Sequence, residues 1–269
     1  MSTRRILVLG GGDVGSAVAH RLFRLGLEVL ICERAGSAHA RRGMAFTDAL
    51  FEGQAVLDGV AACWQSDVDA VRECWRRHDV VPIVTLPEAV VFSSLVFDAV
   101  VEATMRRNLL QPDLRSLAPL TIGIGPGFVP EQNCHLAIET QWGPAMGQLL
   151  RDQPTATRSG GPNSLGGVSR ERFAITPEAG TWHTASRLGQ AVQAGDELGR
   201  VGGRAILAPL PGHLRGVAHD GAEVRAGQRI AEVDPRDQPQ IFGLGERPRA
   251  IAAGVVEALG IAVTAAQVT

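Results

Sequence analysis

Gly10-Gly11-Gly12-Asp13-Val14-Gly15 is the stretch of this chain best suited to meeting an anion. It follows an apolar run over residues 5–9. It opens a helical pattern with Val14, Ala17, Val18, Leu22 and Leu25 on one face. In such a strand–loop–helix Gly10 permits the tight turn, Gly12 the approach of a pyrophosphate, and Gly15 close packing of helix on strand. Glu33, after a second apolar run over residues 27–32, stands where a carboxylate meets the ribose hydroxyls of NAD. Arg34 beside it suits a 2′-phosphate instead. Asp13 argues the other way, because a carboxylate in the first helical turn caps free N–H groups and repels a pyrophosphate. The loop therefore reads equally as an NAD(P) site built on Gly10, Gly12, Asp13, Gly15 and Glu33, and as a scaffold whose ligand has changed.

Arg41 and Arg42 come shortly after the second run, on the side where parallel sheets receive ligands. Paired guanidiniums grip phosphate groups through two-pronged hydrogen bonds, and a solvated surface pair is the plainer alternative. A second glycine turn, Gly125-Pro126-Gly127, would bring backbone N–H groups to an anion or simply reverse the chain. Beyond it, Asn133, Cys134, His135 and Glu139 lie close in sequence. Cys134 is the candidate thiolate nucleophile and His135 its candidate catalytic partner. The alternatives are a small apolar residue and a hydrogen-bonded core histidine.

These residues need a frame. Apolar runs over residues 5–9, 27–32, 80–86, 96–101 and 120–124, separated by polar or helical stretches, predict a Rossmann-like, doubly wound parallel α/β domain over residues 1–152. A Gly/Pro/Ser/Thr-rich stretch over 153–167 reads as a linker or loop. From 172 to 240 short β-like runs alternate with glycine turns, and "AVQAGDELGRV" and "EVRAGQRIAEV" resemble each other. Around a central "APLPGHLRGV" they look like the two halves of a small barrel-sandwich hybrid, the fold of lipoyl and biotinyl carriers. Where those carriers place a lysine, this chain has Pro211, Gly212, His213 and Leu214. Residues 241–269 are expected to supply a helix that packs back.

Composition narrows the chemistry. The formal charge is −2 over 269 residues, which gives no polyanion-binding face, so no nucleic-acid partner is expected. No run approaches the ~18 apolar residues of a membrane span, and Met1-Ser2-Thr3-Arg4-Arg5 leads directly into a strand pattern, so a cytoplasmic protein without a membrane partner is expected. The four cysteines form no CxxC pair and no zinc spacing, and no metal is expected. The chain contains no lysine and no tyrosine. That removes Schiff-base and carrier-lysine chemistry, and with it the Tyr–Lys proton-donor pair of many nicotinamide oxidoreductases.

The blocks "ILVLGGGDVGSAVAHRLFRLGLEVLICE", "ARRGMAFTDALFEG", "GIGPGFVPEQNCHLAIET" and "GHLRGVAHDGAEVRAGQRIAEVDPR" occur in this order, and together they resemble the YqeB-like family. That family comprises accessory proteins of the selenium-dependent molybdenum hydroxylase system, related in role to the XdhC/CoxI accessory proteins. The resemblance implies a protein that binds, modifies or delivers the molybdenum cofactor (molybdopterin), with sulfur or selenium as the inserted ligand and a molybdenum hydroxylase as client. It also implies a basic residue before an asparagine in the segment 104–108, here Arg106 or Arg107 before Asn108. A family lysine is thus arginine, and the aspartate expected after the GPGF turn is Asn133, which leaves a sulfur-only hydroxylase equally open as client. The leading expectation is an anion-gripping accessory protein. Its rivals are an NAD(P)-dependent oxidoreductase and a binding module without chemistry, and a homodimer is left open.

Overall fold

The computed structural model describes residues 4–105, 111–157 and 162–262. In chain order the first nine strands are β1 (Arg5–Leu9), β2 (Glu28–Cys32), β3 (Gln54–Leu57), β4 (Val60–Gln65), β5 (Val81–Val84), β6 (Ala99–Glu102), β7 (Leu120–Ile124), β8 (Leu136–Ile138) and β9 (Leu149–Leu150). The helices are α1 (Asp13–Arg24), α2 (Ala49–Glu52), α3 (Val68–Arg77), α4 (Glu88–Ser94) and α5 (Glu246–Ala258). Alternation of side chains sorts β1 and β2 onto two apolar layers. Ile6, Val8, Val29 and Ile31 meet α1 and α5 on one face. Leu7, Leu9, Leu30 and Cys32 meet α3 and α4 on the other. Helix α1 buries Val14, Ala17, Val18 and Leu22, while α3 starts on Asp67, whose carboxylate accepts the N–H groups of Asp69 and Ala70.

The nine strands form one sheet in the order β3-β4-β5-β2-β1-β6-β7-β8-β9. Neighbours from β4 to β8 are parallel. Both outer pairs, β3–β4 and β8–β9, are antiparallel. The β3–β4 hairpin turns through Asp58 and Gly59, both with positive φ (43° and 80°), the conformation that follows strand twist in two-residue turns.

The second unit comprises β10 (Phe173–Ile175), β11 (Gly180–His183), β12 (Ala191–Val192), β13 (Glu197–Val201), β14 (Arg204–Leu207), β15 (Gly212–Val217), β16 (Glu223–Val224) and β17 (Arg229–Asp234). They make two four-stranded sheets, β10-β17-β15-β12 and β14-β13-β11-β16. Trp182, Leu214, Val217, Ile230 and Val233 fill the space between them, and the Trp182 indole N–H donates to the Ala218 carbonyl at 3.1 Å.

This topology corrects the fold expected from the sequence. The first sheet is mixed rather than the doubly wound parallel Rossmann-like sheet. Its hairpin edges come from the Asp58-Gly59 turn and from the return of the chain after β8, which strand periodicity does not reveal. The second unit is not the expected barrel-sandwich hybrid of two strand–turn–strand halves. The Ala194-Gly195 and Ala226-Gly227 turns join strands of different sheets: β12 pairs with β15 and β16 with β11. Nor is the segment that replaces the carrier lysine an exposed hairpin tip. Gly212 and His213 begin β15, between β12 and β17, and a Cβ on Gly212 would collide with the backbone of Asp234 and Pro235.

The two units share material. Residues after β2 run onto the β unit, where Ala38 joins its apolar core, Ser37 bridges to Glu223, and the Phe51 ring stacks on His219 at 4.3 Å. Among the described residues no helix is long and apolar enough to cross a membrane.

Candidate functional site

The glycine loop lies at the carboxyl end of β1. Gly10 has φ +95°, and a Cβ there would stand 2.8 Å from the Thr104 backbone. A Cβ on Gly15 would run into the Gly10 carbonyl oxygen, so helix and loop touch directly. Both glycines are therefore required by packing, whatever the loop binds.

Several donors of this loop are taken by the chain itself. The Gly11 N–H donates to Glu33 Oε2 at 2.8 Å, and the Asp13 N–H to His39 Nε2 at 3.1 Å. The Val14 N–H donates to Asp13 Oδ1 at 3.1 Å. His39 also covers Gly12, where a Cβ would lie 3.1 Å from the ring. An imidazole nitrogen that accepts must be unprotonated, so His39 is neutral here. Burial, aided by Arg41, holds its pKa below the ordinary value against the pull of Asp13, Glu33 and Asp48. For Asp13, burial pushes the carboxyl up, but nearby positive charge, Arg41 foremost and then Arg247, outweighs it and holds the group below the usual carboxylate range.

Arg41 connects this loop to the β unit. Its Nη1 meets Asp13 Oδ2 at 3.0 Å and its Nε meets Glu232 Oε2 at 2.9 Å. Glu232 lies on β17 with its side chain 1 % exposed, and it receives two further guanidiniums: Arg172 Nε at 2.8 Å and Arg215 Nη1 at 3.1 Å. Burial raises the Glu232 pKa, but Arg41, Arg215 and Arg172 reverse this and keep it below the usual range. Burial and then Arg41 lower the pKa of Arg215. Asp234, two residues on, is held in a two-pronged pair by Arg236. Arg42 points elsewhere: its Nε donates to the Val217 carbonyl at 3.0 Å and its Nη1 pairs with Asp48 at 2.7 Å. It fastens the loop after β2 to the β unit.

Three guanidiniums around one buried carboxylate, linked through Arg41 to the glycine loop, form a charged junction between the two units. The sequence reading found Arg41 and the loop glycines. It missed His39, Arg172, Arg215 and Glu232. A charged residue at a buried position of β17, within "IAEVDP", was the available signal for Glu232.

The remaining predicted residues fall outside this junction. Gly125 and Gly127 turn the chain after β7, with the Gly127 carbonyl accepting from Asn133 and the Pro126 carbonyl from Gln111. Cys134 and His135 precede β8 at the amino ends of β7 and β8, the opposite end of the parallel strands from Gly10. Cys134 is fully buried among Leu114, Phe128 and Ala137, and burial pushes its thiol up to about 11. His135 Nδ1 accepts the Thr121 N–H at 3.0 Å, which ties the ring to β7. This geometry does not present a thiolate. Arg107 and Asn108 lie outside the described residues. Two open grooves of the β unit, about 550 and 360 Å³, contain none of the residues singled out from the sequence.

The class defined so far is a mixed α/β protein whose sheet is joined to a two-sheet β unit through an arginine–carboxylate junction. No family model matches the chain. Over 256 residues, 94% of its length, the chain is 32% identical to the uncharacterized protein YqeB of Escherichia coli (strain K12), and it spans 47% of that relative. This similarity supports a YqeB-like family. Solved structures show only remote likeness. A succinylglutamate desuccinylase/aspartoacylase from Rhodobacter sphaeroides is 12% identical, with 86% of each chain covered and a TM-score of 0.25. The apo ectoine utilization protein EutE from Ruegeria pomeroyi is 13% identical, again with 86% of each chain covered, and has a TM-score of 0.26. An aspartoacylase family protein from Mesorhizobium loti is 13% identical over 88% of this chain and 87% of its own, with a TM-score of 0.28. Scores this low leave these structures without bearing on function.

Proposed function

We propose that this chain is an accessory protein that holds an anionic form or precursor of the molybdenum cofactor and passes it to a molybdenum hydroxylase. The observation that carries this reading is the convergence of Arg41, Arg172 and Arg215 on Glu232 beside the glycine loop. The donor set fits a phosphate-bearing cargo. Arg41 is the most exposed of the three, and its guanidinium can exchange a carboxylate for a ligand oxyanion through hydrogen bonds of the same charge-assisted kind. The YqeB-like resemblance supplies the cargo and the client.

The protein's part in this reading is gripping and release. Cys134 is buried with a raised pKa, so it is poorly suited to carry the sulfur or selenium of the finished cofactor. The dehydrogenase reading is less well served. Glu33 and His39 already occupy donors that a pyrophosphate would need, and the chain lacks lysine and tyrosine.

A strain lacking this gene tests the reading. The hydroxylase polypeptide should accumulate at normal levels but without activity, carrying incomplete cofactor or none. Full hydroxylase activity in that strain would end the proposal.

A further inference from the structure

The loop between β17 and α5 presents an aromatic ring to solvent beside the arginine junction. Phe242 is 63% exposed. An isolated exposed apolar residue is ordinary, but this one is rigidly held. The Gly243 N–H donates to the Gly43 carbonyl at 3.1 Å, and the Leu244 N–H to Asp58 Oδ2 at 3.1 Å. Asp58 is itself paired with Arg249 at 3.1 Å. Gly243 has φ +78°, and a Cβ there would stand 2.6 Å from Asp58 Oδ1, so the loop closes onto this carboxylate without room for a side chain. On the other side Arg215 Nε donates to the Gln240 carbonyl at 3.0 Å.

The ring also lies against the arginine-bearing segment. At Gly43 a Cβ would meet Phe242 Cδ1, Leu188 Cδ1 and the Ile241 carbonyl oxygen, each at 2.9 Å. Gly43 directly follows Arg41 and Arg42. Arg215, which anchors Gln240, also contacts Glu232, and its Nη2 reaches the Met44 thioether at 3.8 Å. A thioether is a weak acceptor, so this contact satisfies the nitrogen only weakly. The exposed ring thus sits on a loop that Arg215, on β15, anchors through the Gln240 carbonyl.

We propose that Phe242 is the stacking platform for a fused, planar heterocycle whose attached anionic group is taken by Arg215 and Arg41. The inference deepens the anion-holding reading and rests on it. It adds that the ligand is recognised through its ring as well as its charge. Stacking on a pre-positioned ring needs no further ordering of the loop.

Calorimetric titration of the full chain with inorganic pyrophosphate and with GDP tests this. The two share the anion, and GDP adds a fused ring carrying the 2-amino-4-oxopyrimidine edge that pterins also carry. GDP should bind about tenfold more tightly than pyrophosphate, the scale of one base–aromatic stack. Phe242→Ala should abolish that difference and leave pyrophosphate binding unchanged, Phe242→Trp should preserve it, and Arg215→Gln should weaken both ligands. Equal affinities for the two ligands in the unaltered protein, or a GDP preference that survives Phe242→Ala, would overturn the stacking assignment while the anion-holding reading stands. Failure of both ligands to bind would overturn the two together. A loss of client-enzyme retention in Phe242→Ala with GDP binding unaltered would make the ring a protein contact and refute its role toward a ligand.

Discussion

Replacing Glu232 by Gln keeps the shape of the side chain and removes the single negative charge on which Arg41, Arg172 and Arg215 converge. Arg172, 3 % exposed, would then lose its buried counter-charge, while Arg41 keeps Asp13 at 3.0 Å and Arg215 keeps Asp234 at 3.9 Å. Removing one partner of a buried ion pair costs about 3–5 kcal/mol, because the remaining charge is left without compensation. With a domain stability of about 5–15 kcal/mol, a loss of that size is a large share of the total. Urea unfolding at pH 7 should show the lower midpoint. Adding Arg41→Gln should not recover the loss, since Asp13 still neutralises Arg41 at 3.0 Å and would itself be left unpaired, and the double-mutant cycle measures the Arg41–Glu232 coupling. The pH dependence follows from the lowered carboxyl pKa. A carboxylate depressed in the folded state stabilises fully above its unfolded value of about 4.5 and ceases to do so as pH falls through the folded value. The unaltered protein should therefore lose stability below about pH 4.5 more steeply than Glu232→Gln. A variant within about 1 kcal/mol of the parent would refute the reasoning, and would mean that the guanidiniums find other acceptors.

His39 gives a second pH signature in a different window. Its folded pKa is lowered, so stability is complete above the unfolded value near 6.5 and declines as pH falls toward the folded value. His39→Gln, which keeps an acceptor but cannot titrate, should flatten unfolding midpoints between pH 7.5 and 5.5, and an unchanged slope would place the proton elsewhere. Gly15→Ala should abolish or severely weaken folding by forcing α1 off the Gly10 carbonyl. Gly26→Ala, with φ +84° and no neighbour within 4 Å, should cost only about 1 kcal/mol, and equal circular-dichroism melts for the two would contradict the packing argument. With an aromatic disulfide reagent at pH 8, Cys63 should react well before Cys134, whose thiol is buried and raised to about 11. Rapid labelling of Cys134, read by peptide mass, would reopen its candidacy as a nucleophile.

The sequence alone determined the local unit. The apolar run before Gly10, the helical spacing after Asp13 and the run ending at Cys32 specify strand, loop, helix and strand through contacts close along the chain. The requirements at Gly10 and Gly15 follow from that geometry. It also determined the negative chemistry, since a chain without lysine cannot carry a lipoyl or biotinyl group. The tertiary structure decided the rest. Periodicity reports which face of a strand is buried but not which strand lies beside it, so the antiparallel edges and the sheet-crossing turns at Gly195 and Gly227 were invisible. The site was hidden for the same reason. Arg41 and Glu232 are separated by 191 residues, and Arg172 and Glu232 by 60. Arg172 looks like an ordinary surface charge until the β unit is folded, and nothing in the sequence pairs Arg41 with Glu232 until that unit folds onto the loop after β2. Burial then makes them indispensable to one another, because a charge removed from water needs its partner within hydrogen-bonding distance. No pattern of residue types along the chain encodes that distance.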